Sequence, residues 1–424
     1  MDLLEQHDVL VDILGRLPPR SLAACRRVCT AWRATVDGHR LLRAAELPLS
    51  PQGIFYETTD MIVPMLFSRP SMARHVAATF RGLGDSFLLE LMDCCNGLLL
   101  LWDHVLNPAT GQVVQLPPQP RPCAVDGCKN CCGSDHYLAY DPAVSPHYEV
   151  FLVPFIPVHL SPDHISRHIC HQPGQVSAME WPPSPFILHV FSSSRTGGGG
   201  CWEEGHLCDK GRPPEQLPMS NREITINSHN DTYRVIKLPN GKKGTPRLGK
   251  SKNGVYCALR SQRGMFEVWF LDESHDGHQM QWALNNKIDL EPVIEYYRRN
   301  NYTDKEQWIS VSLEEDPENN AKLERLLVQD IDEEWNFDDE NATDVIGWTR
   351  KCSSTEYPYY VDCFGFHPCK EIVFFYGRGR TVAYHLNCSK VRLLGKMKDD
   401  QRAHMVESFP YAPCWMRNLP GSNN

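Results

Sequence analysis

The sequence predicts an α+β multidomain protein in which a small three-helix module is followed by a large all-β domain. Three observations predict this. From His7 to Leu47 apolar residues recur at helical spacing and are interrupted by Pro18-Pro19 and by Asp37-Gly38. From about Phe87 the chain breaks into short apolar or alternating runs punctuated by Pro, Gly, Asn and Asp, as strands and turns require. Within that region a unit of strand, proline turn and strand recurs.

The first helix of the module is predicted from Val9, Leu10, Ile13, Leu14 and Leu17, whose i, i+1, i+4, i+5, i+8 spacing lines one helical face. Asp8 is placed to cap its first turn. Pro18-Pro19 ends it, because proline lacks the N–H and disfavours the α region in the residue before it. Ser21 can cap a second helix whose apolar side is Leu22, Ala23 and Val28. Cys29, Trp32 and Val36 carry the pattern into a third. Helices this short are not stable alone. Nor can the three bury all of these side chains inward, so part of the set is expected to form an exposed apolar patch with Pro18, Leu22 and Trp32 at its surface. The alternative is an ordinary bundle whose apolar residues simply make its core.

The ungapped run from Asp8 to Arg33, D-V-L-x-x-I-L-x-R-L-P-x-x-S-L-x-x-x-R-x-V-C-x-x-W-R, resembles the F-box. It includes the Leu17-Pro18 turn and the Val28-Cys29 and Trp32-Arg33 pairs. The resemblance implies docking onto a Skp-type adaptor, and through it a cullin, by Val9, Leu10, Ile13, Leu14, Leu17, Pro18, Ser21, Leu22, Val28, Cys29 and Trp32. One departure is visible. Glu5-Gln6 stand where the family usually has Leu-Pro before the first helix.

Composition sets the bounds on the rest. At 424 residues, with 42% hydrophobic and 22% charged, the chain is long enough for one small and one large domain. Its N-terminus carries Asp2 and Glu5 where an export signal has lysine and then an apolar run. No apolar stretch approaches the roughly 20 residues that span a bilayer, so no membrane partner is expected. The 17 cysteines are spread thinly, which reads as reduced thiols in a cytoplasmic or nuclear protein and gives no meaning to the acceptor sequences at Asn301, Asn341 and Asn387. The net charge of −9 is local: Glu314 to Asp344 holds 13 acidic residues against Lys322 and Arg325, so this segment alone carries −11 and the remainder +2. Such a segment reads as a solvated insertion, with a contact for a basic partner as the other reading. The six basic residues from Lys237 to Lys252 surround Asn240-Gly241 and read as a loop between strands. They lack the interleaved aromatics of a nucleic-acid surface, and no nucleic-acid partner is expected.

The implied organisation is the helical module at 1–47, a connector at 48–86, the β domain at 87–396 with the acidic insertion 314–344, and a C-terminal tail at 397–424. Fourteen strands are expected, at Phe87–Met92, Gly97–Trp102, Val113–Leu116, Tyr137–Tyr140, Tyr148–Pro154, Phe186–Ser192, Tyr233–Leu238, Gly254–Arg260, Met265–Asp272, Ile309–Leu313, Val345–Trp348, Val361–His367, Glu371–Tyr376 and Thr381–Asn387. The repeated unit stands at Val105-Leu106-Asn107-Pro108, Ala139-Tyr140-Asp141-Pro142 and Gly365-Phe366-His367-Pro368. The stretch from Cys94-Cys95-Asn96-Gly97 through Leu98–Leu101, Asn107-Pro108 and Leu116-Pro117-Pro118 resembles the opening blade of the F-box-associated β-propellers of plants. Tyr233–Pro239 and Glu149–Pro154 echo later blades. An irregular β-propeller is therefore expected, since stacking blades radially covers both faces of each small sheet. A β-sandwich is the alternative. The pattern sets no blade count, and the polar section Gly197–Asn230 reads as missing about a blade of strands.

For chemistry, the cysteines Cys123, Cys128, Cys131 and Cys132, with His136 nearby, make a half-site for zinc. All four thiols share one loop, whereas structural zinc usually draws on two separated pairs. The other reading is a surface loop, and His159, His164, His168 and His171 read as exposed polar residues. No nucleophile elbow, phosphate loop or metalloprotease helix occurs, so no catalysis and no cofactor are expected. The F-box resemblance implies a non-catalytic substrate receptor of a Skp-cullin-F-box ubiquitin ligase, in the ubiquitin-like conjugation pathway, whose β domain recruits a protein substrate that the sequence leaves unnamed. The alternative is an interaction scaffold with weak or lost adaptor binding. A metal-dependent enzyme is a distant third.

Overall fold

A computed structural model describes residues 3–17, 21–41, 51–59, 64–81, 90–120, 133–155, 186–195, 201–209, 222–227, 232–239, 246–272, 280–293, 308–313, 343–344, 361–397, 405–415 and 419–420, apart from one or two positions within some of those spans. Among the described residues the N-terminal module has the helices α1 (Leu3–Gly15) and α2 (Thr30–Gly38), with Ser21, Leu22 and Cys25 in helical conformation between them. The first helix begins five residues before Asp8, which lies inside α1 and does not cap it. With no proline at Glu5-Gln6, nothing in the backbone stops the helix from extending back. Its end is as expected: Arg16 N–H and Leu17 N–H bond to the carbonyls of Ile13 and Leu14 in a tightened last turn just before Pro18.

The stretch expected as a connector is structured. It carries β1 (Gly53–Thr58), β2 (Met65–Ser68) and α3 (Pro70–Arg81), with every residue of β2 and all but Glu57 in β1 buried. There follow β3 (Leu91–Cys95), β4 (Leu98–Leu101), β5 (His104–Asn107), β6 (Gln112–Gln115), β7 (Gly133–Tyr140), β8 (Tyr148–Phe155), β9 (Phe186–Ser192), β10 (Glu203–Asp209), β11 (Arg222–Asn227) and β12 (Thr232–Lys237). Next come β13 (Arg247–Ser251), β14 (Gly254–Gln262), β15 (Met265–Asp272), β16 (Gln281–Asp289), β17 (Ile309–Ser312) and β18 (Thr343–Asp344). The series ends with β19 (Val361–Phe366), β20 (Ile372–Gly377), β21 (Arg380–His385), β22 (Lys390–Lys396) and β23 (Met405–Tyr411). Gly197–Asn230 thus contributes β10 and β11 where no strands were expected, and the presumed tail contains β23. Expected strand Val345–Trp348 and most of the acidic segment lie outside the described residues.

These strands build five sheets in a propeller arrangement, not a sandwich. The first blade is β3-β4-β5-β6, the second β7-β8-β9-β10 extended by β12-β11, the third β13-β14-β15-β16, the fourth β19-β20-β21-β22-β18 and the fifth β23-β1-β2-β17. The innermost strands adjoin in the order β13, β19, β23, β3, β7. Separate cores fill the interfaces between neighbours. Tyr256, Val268, Phe375 and Val382 join the third and fourth blades. Ile54, Phe67, Phe364 and Phe374 join the fourth and fifth. Phe55, Leu66, Leu99 and Leu106 join the fifth and first, and Leu98, Leu100, Leu138 and Val150 the first and second.

This packing explains the strand sequences. A strand covered on both faces has no polar side to alternate with, so β4 reads Leu-Leu-Leu-Leu and β20 reads Ile-Val-Phe-Phe-Tyr-Gly, all buried. A two-layer sandwich would leave one face of each sheet polar.

The ring closes where β1 pairs antiparallel with β23, from Gly53 opposite Tyr411 to Thr58 opposite Met405. The repeated proline units supply turns. Asn107 Oδ1 accepts the Ala109 N–H at 3.0 Å while its amide donates to the Cys414 carbonyl at 2.9 Å, and the His367 ring Nδ1 accepts the N–H groups of Cys369 and Lys370 at 3.0 and 3.1 Å. Asp141 does the same through its carbonyl, which accepts from Val144 and Ser145. Asn107 is 1% exposed. Substituting it with Ala is expected to cost about 2 kcal/mol in equilibrium unfolding, because the Cys414 carbonyl and Ala109 N–H are then left buried without it.

Candidate functional site

In the helical module, Leu14, Leu22 and Val36 form a small core, with Leu10, Leu17, Cys25, Trp32 and Leu41 partly buried around it. Cys29 caps α2: its Sγ accepts the Trp32 N–H at 3.5 Å, and its carbonyl accepts the Arg33 N–H at 3.0 Å. Once that core is made, Val9, Ile13 and Val28 are left 58%, 55% and 66% exposed. Val9 and Ile13 stand one turn apart on the same face of α1. Ser21 and Cys29 are exposed as well.

The eleven residues singled out from sequence therefore divide. Val9, Ile13, Ser21, Val28 and Cys29 are on the surface, Leu10, Leu17 and Trp32 are half-buried, and Leu14 and Leu22 are in the core. Leu22, expected at the surface, is 2% exposed because it is the central side chain against which both helices pack. Pro18 lies outside the described residues.

In the propeller, charged side chains tie neighbouring blades together. Asp93 on β3 accepts the N–H groups of Cys94 and Leu138, each at 2.7 Å, and so ties the first blade to the second. Glu57 on β1 accepts the Leu91 N–H at 2.9 Å and ties the fifth blade to the first. Arg247 on β13 reaches β23, where its Nη1 is 3.0 Å from Glu407 Oε2 and its Nη2 donates to the Val406 carbonyl at 2.7 Å. Burial raises the carboxyl of Asp93 to about 6, against which its two backbone hydrogen bonds work, and the Glu407 charge adds to the rise. Burial likewise raises Glu57 and Asp135, again with help from Glu407.

A raised carboxyl contributes stability that is fully present below its unfolded value and lost as pH rises through its folded one. Relative to Asp93→Asn, the wild type is therefore expected to gain about 2 kcal/mol as pH falls from 7 to 4. Urea midpoints of the two proteins across that range check this. A difference that does not vary with pH would show that Asp93 is ionised as easily in the fold as in water.

His136 is 3% exposed, lies against Trp102 with ring centroids 4.9 Å apart, and is lowered by burial to about 4. Cys123, Cys128, Cys131 and Cys132, and His159, His164, His168 and His171, lie outside the described residues. Among the described residues no group of three or more His, Cys, Asp or Glu is placed to hold a metal, and no helix is long and apolar enough to cross a membrane. The buried thiols are held protonated: burial pushes Cys95 up to about 11 and Cys363 up to about 12.

The fold and its surface define a two-part protein, a helical module with an uncovered apolar face joined to a five-bladed propeller. Residues 7–44 match the F-box-like family model. An F-box protein of Arabidopsis thaliana is 30% identical over 77 residues, which is 18% of this chain and 46% of that protein. The match thus spans less than half the length of that curated relative. No solved structure matches the chain. The chain thus carries an F-box-like domain at its N-terminus, is similar over part of its length to a plant F-box protein, and has a propeller behind that domain.

Proposed function

We propose that the protein is the substrate-receptor subunit of a Skp-cullin-F-box ubiquitin ligase. The helical module holds a Skp-type adaptor, and the propeller holds a protein target for modification by other subunits, itself catalysing nothing. The observation that carries this reading is the apolar surplus of the module. Val9, Ile13 and Val28 stay exposed although Leu14, Leu22 and Val36 close a core beside them, and an apolar face on so small a unit is stabilised by a partner. A cytoplasmic or nuclear setting belongs to the same reading.

The test is calorimetric titration of the full chain with a purified plant Skp-type adaptor, followed by affinity capture with and without proteasome inhibition. Saturable binding, with proteins enriched only under inhibition, is the expected result. If the adaptor does not bind while the propeller still captures proteins indifferent to the inhibitor, the chain is an interaction scaffold.

A further inference from the structure

Each blade ends in an outer strand, and the ring treats these edges differently. The outer strands of the first and fifth blades, β6 and β17, have four residues each. The outer edge of the second, β10, is covered by β12, with Cys208 opposite Thr232 and Asp209 opposite Tyr233. That of the fourth, β22, is covered by β18, with Thr343 opposite Val391 and Asp344 opposite Lys390. Two outer edges have thus already taken an added strand through main-chain bonds. The third blade differs. Its outer strand, β16, is nine residues long with six of them exposed, contains no proline, and has no further strand beyond it among the described residues.

Apart from the bulge at Asn285, where the register with β15 shifts, such an edge presents N–H and C=O groups that another strand can satisfy, and the bulge sets Leu284 and Lys287 on one face. Its side chains narrow the choice of strand. Leu284 is 42% exposed on the face that carries Trp269 and Trp282. Lys287 is 63% exposed, with its Nζ 3.9 Å from Glu267 Oε1, a weak pair that leaves the ammonium open to a second carboxylate. A lysine on an edge discourages pairing with another copy of the same edge, yet it favours a strand with an acidic side chain opposite it.

We infer that the outer edge of β16, over residues 283–289, docks an extended, proline-free segment of a partner protein as an added antiparallel strand, with an acidic side chain opposite Lys287 and an apolar one beside Leu284. This rests on the reading of the propeller as the part that holds the target, and it names the form in which a target is presented. Main-chain bonds supply the affinity, and Lys287 and Leu284 select the sequence.

The probe is a short fluorescent peptide of alternating threonine and valine carrying one glutamate, titrated against the full chain. The controls are the same peptide with its backbone N-methylated and a version with lysine for glutamate. The parent peptide is expected to bind and the N-methylated one not to. Lys287→Glu should weaken the parent peptide about fivefold and strengthen the lysine version by a similar factor. Because Lys287→Glu sets a carboxylate directly opposite Glu267, Lys287→Ala is the second variant: it should lose the preference for the glutamate peptide over the lysine version while unfolding near the wild-type midpoint. Absence of binding, or equal binding by the methylated control, overturns the inference. A concentration-dependent dimer in light scattering that Leu284→Lys dissolves also overturns it, by showing that a second copy takes the edge. Adaptor titration on the same preparation separates the two proposals. Loss of adaptor binding with peptide binding retained strikes the ligase reading and supports the edge, whereas the reverse strikes the edge alone.

Discussion

Replacing Gly97 with alanine is expected to destabilise the propeller by about 3 kcal/mol or more, an effect large for a single methyl group. Gly97 and Asn96 form the two-residue turn between β3 and β4, and both have positive φ, +85° and +46°. Asparagine tolerates that region, and Asn96 is further held by its amide, which donates to the Tyr140 carbonyl at 2.6 Å. At Gly97 a side chain meets two penalties. The left-handed backbone costs roughly 1–2 kcal/mol for a residue with a Cβ. In addition, that Cβ would lie 2.5 Å from the Ala412 carbonyl oxygen and the Cys414 nitrogen, which belong to the backbone immediately after β23. This backbone cannot yield cheaply, because Asn107 holds the Cys414 carbonyl and Tyr411 is buried against Phe55 with ring centroids 5.1 Å apart. Gly111 is the control. Its φ is +75°, and an added Cβ meets only Thr79 Oγ1 at 3.9 Å, so Gly111→Ala should show the backbone penalty alone, roughly 1–2 kcal/mol. Equilibrium urea unfolding of both variants reads the difference, and equal losses would mean that the chain after β23 is not packed on the first blade.

The second large effect concerns the helical module. If the proposed docking holds, Ile13→Asp is expected to reduce adaptor affinity by about 100-fold while leaving helix content and thermal midpoint near wild type, since Ile13 is 55% exposed in the free protein and its burial would come only from the partner. Leu22→Asp should behave differently. At 2% exposure its carboxylate has no partner in the core of Leu14, Leu22 and Val36, and the module should lose its helical signal outright. Circular dichroism and adaptor titration on the same two variants separate a docking residue from a folding residue. If Ile13→Asp binds as wild type, the adaptor is held by some other face.

The contrast between these two residues shows how far the sequence could be read. Helical spacing marked Ile13 and Leu22 as apolar, and a run of fixed residue types marked the module, but spacing does not say which of two apolar side chains turns inward. That depends on where α1 crosses the following turns. The propeller was legible in the same partial way. Phe186–Ser192 and Met265–Asp272 are strands at the expected boundaries, and Asn107-Pro108, Asp141-Pro142 and His367-Pro368 are turns held by local hydrogen bonds. β16 was missed because an exposed outer strand is rich in polar residues and resembles a loop, β22 because Lys390, Arg392 and Gly395 interrupt its apolar residues, and β10 because Glu203 to Asp209 carries little apolar signal.

The sequence by itself determined the local pieces: a first helix ended by prolines, the proline-marked turns, and runs such as Leu98–Leu101 and Ile372–Gly377, whose unbroken apolarity demands cover on both faces. Only the tertiary structure decided how those pieces join. That β1, from a stretch that looked like a connector, pairs with β23, from a stretch that looked like a tail, is a contact between the two ends of the propeller domain. No local periodicity encodes such a pairing, because the free energy that selects it comes from closing the ring and burying Phe55, Tyr56 and Tyr411 between blades that the sequence places far apart. The number of blades follows from the same closure.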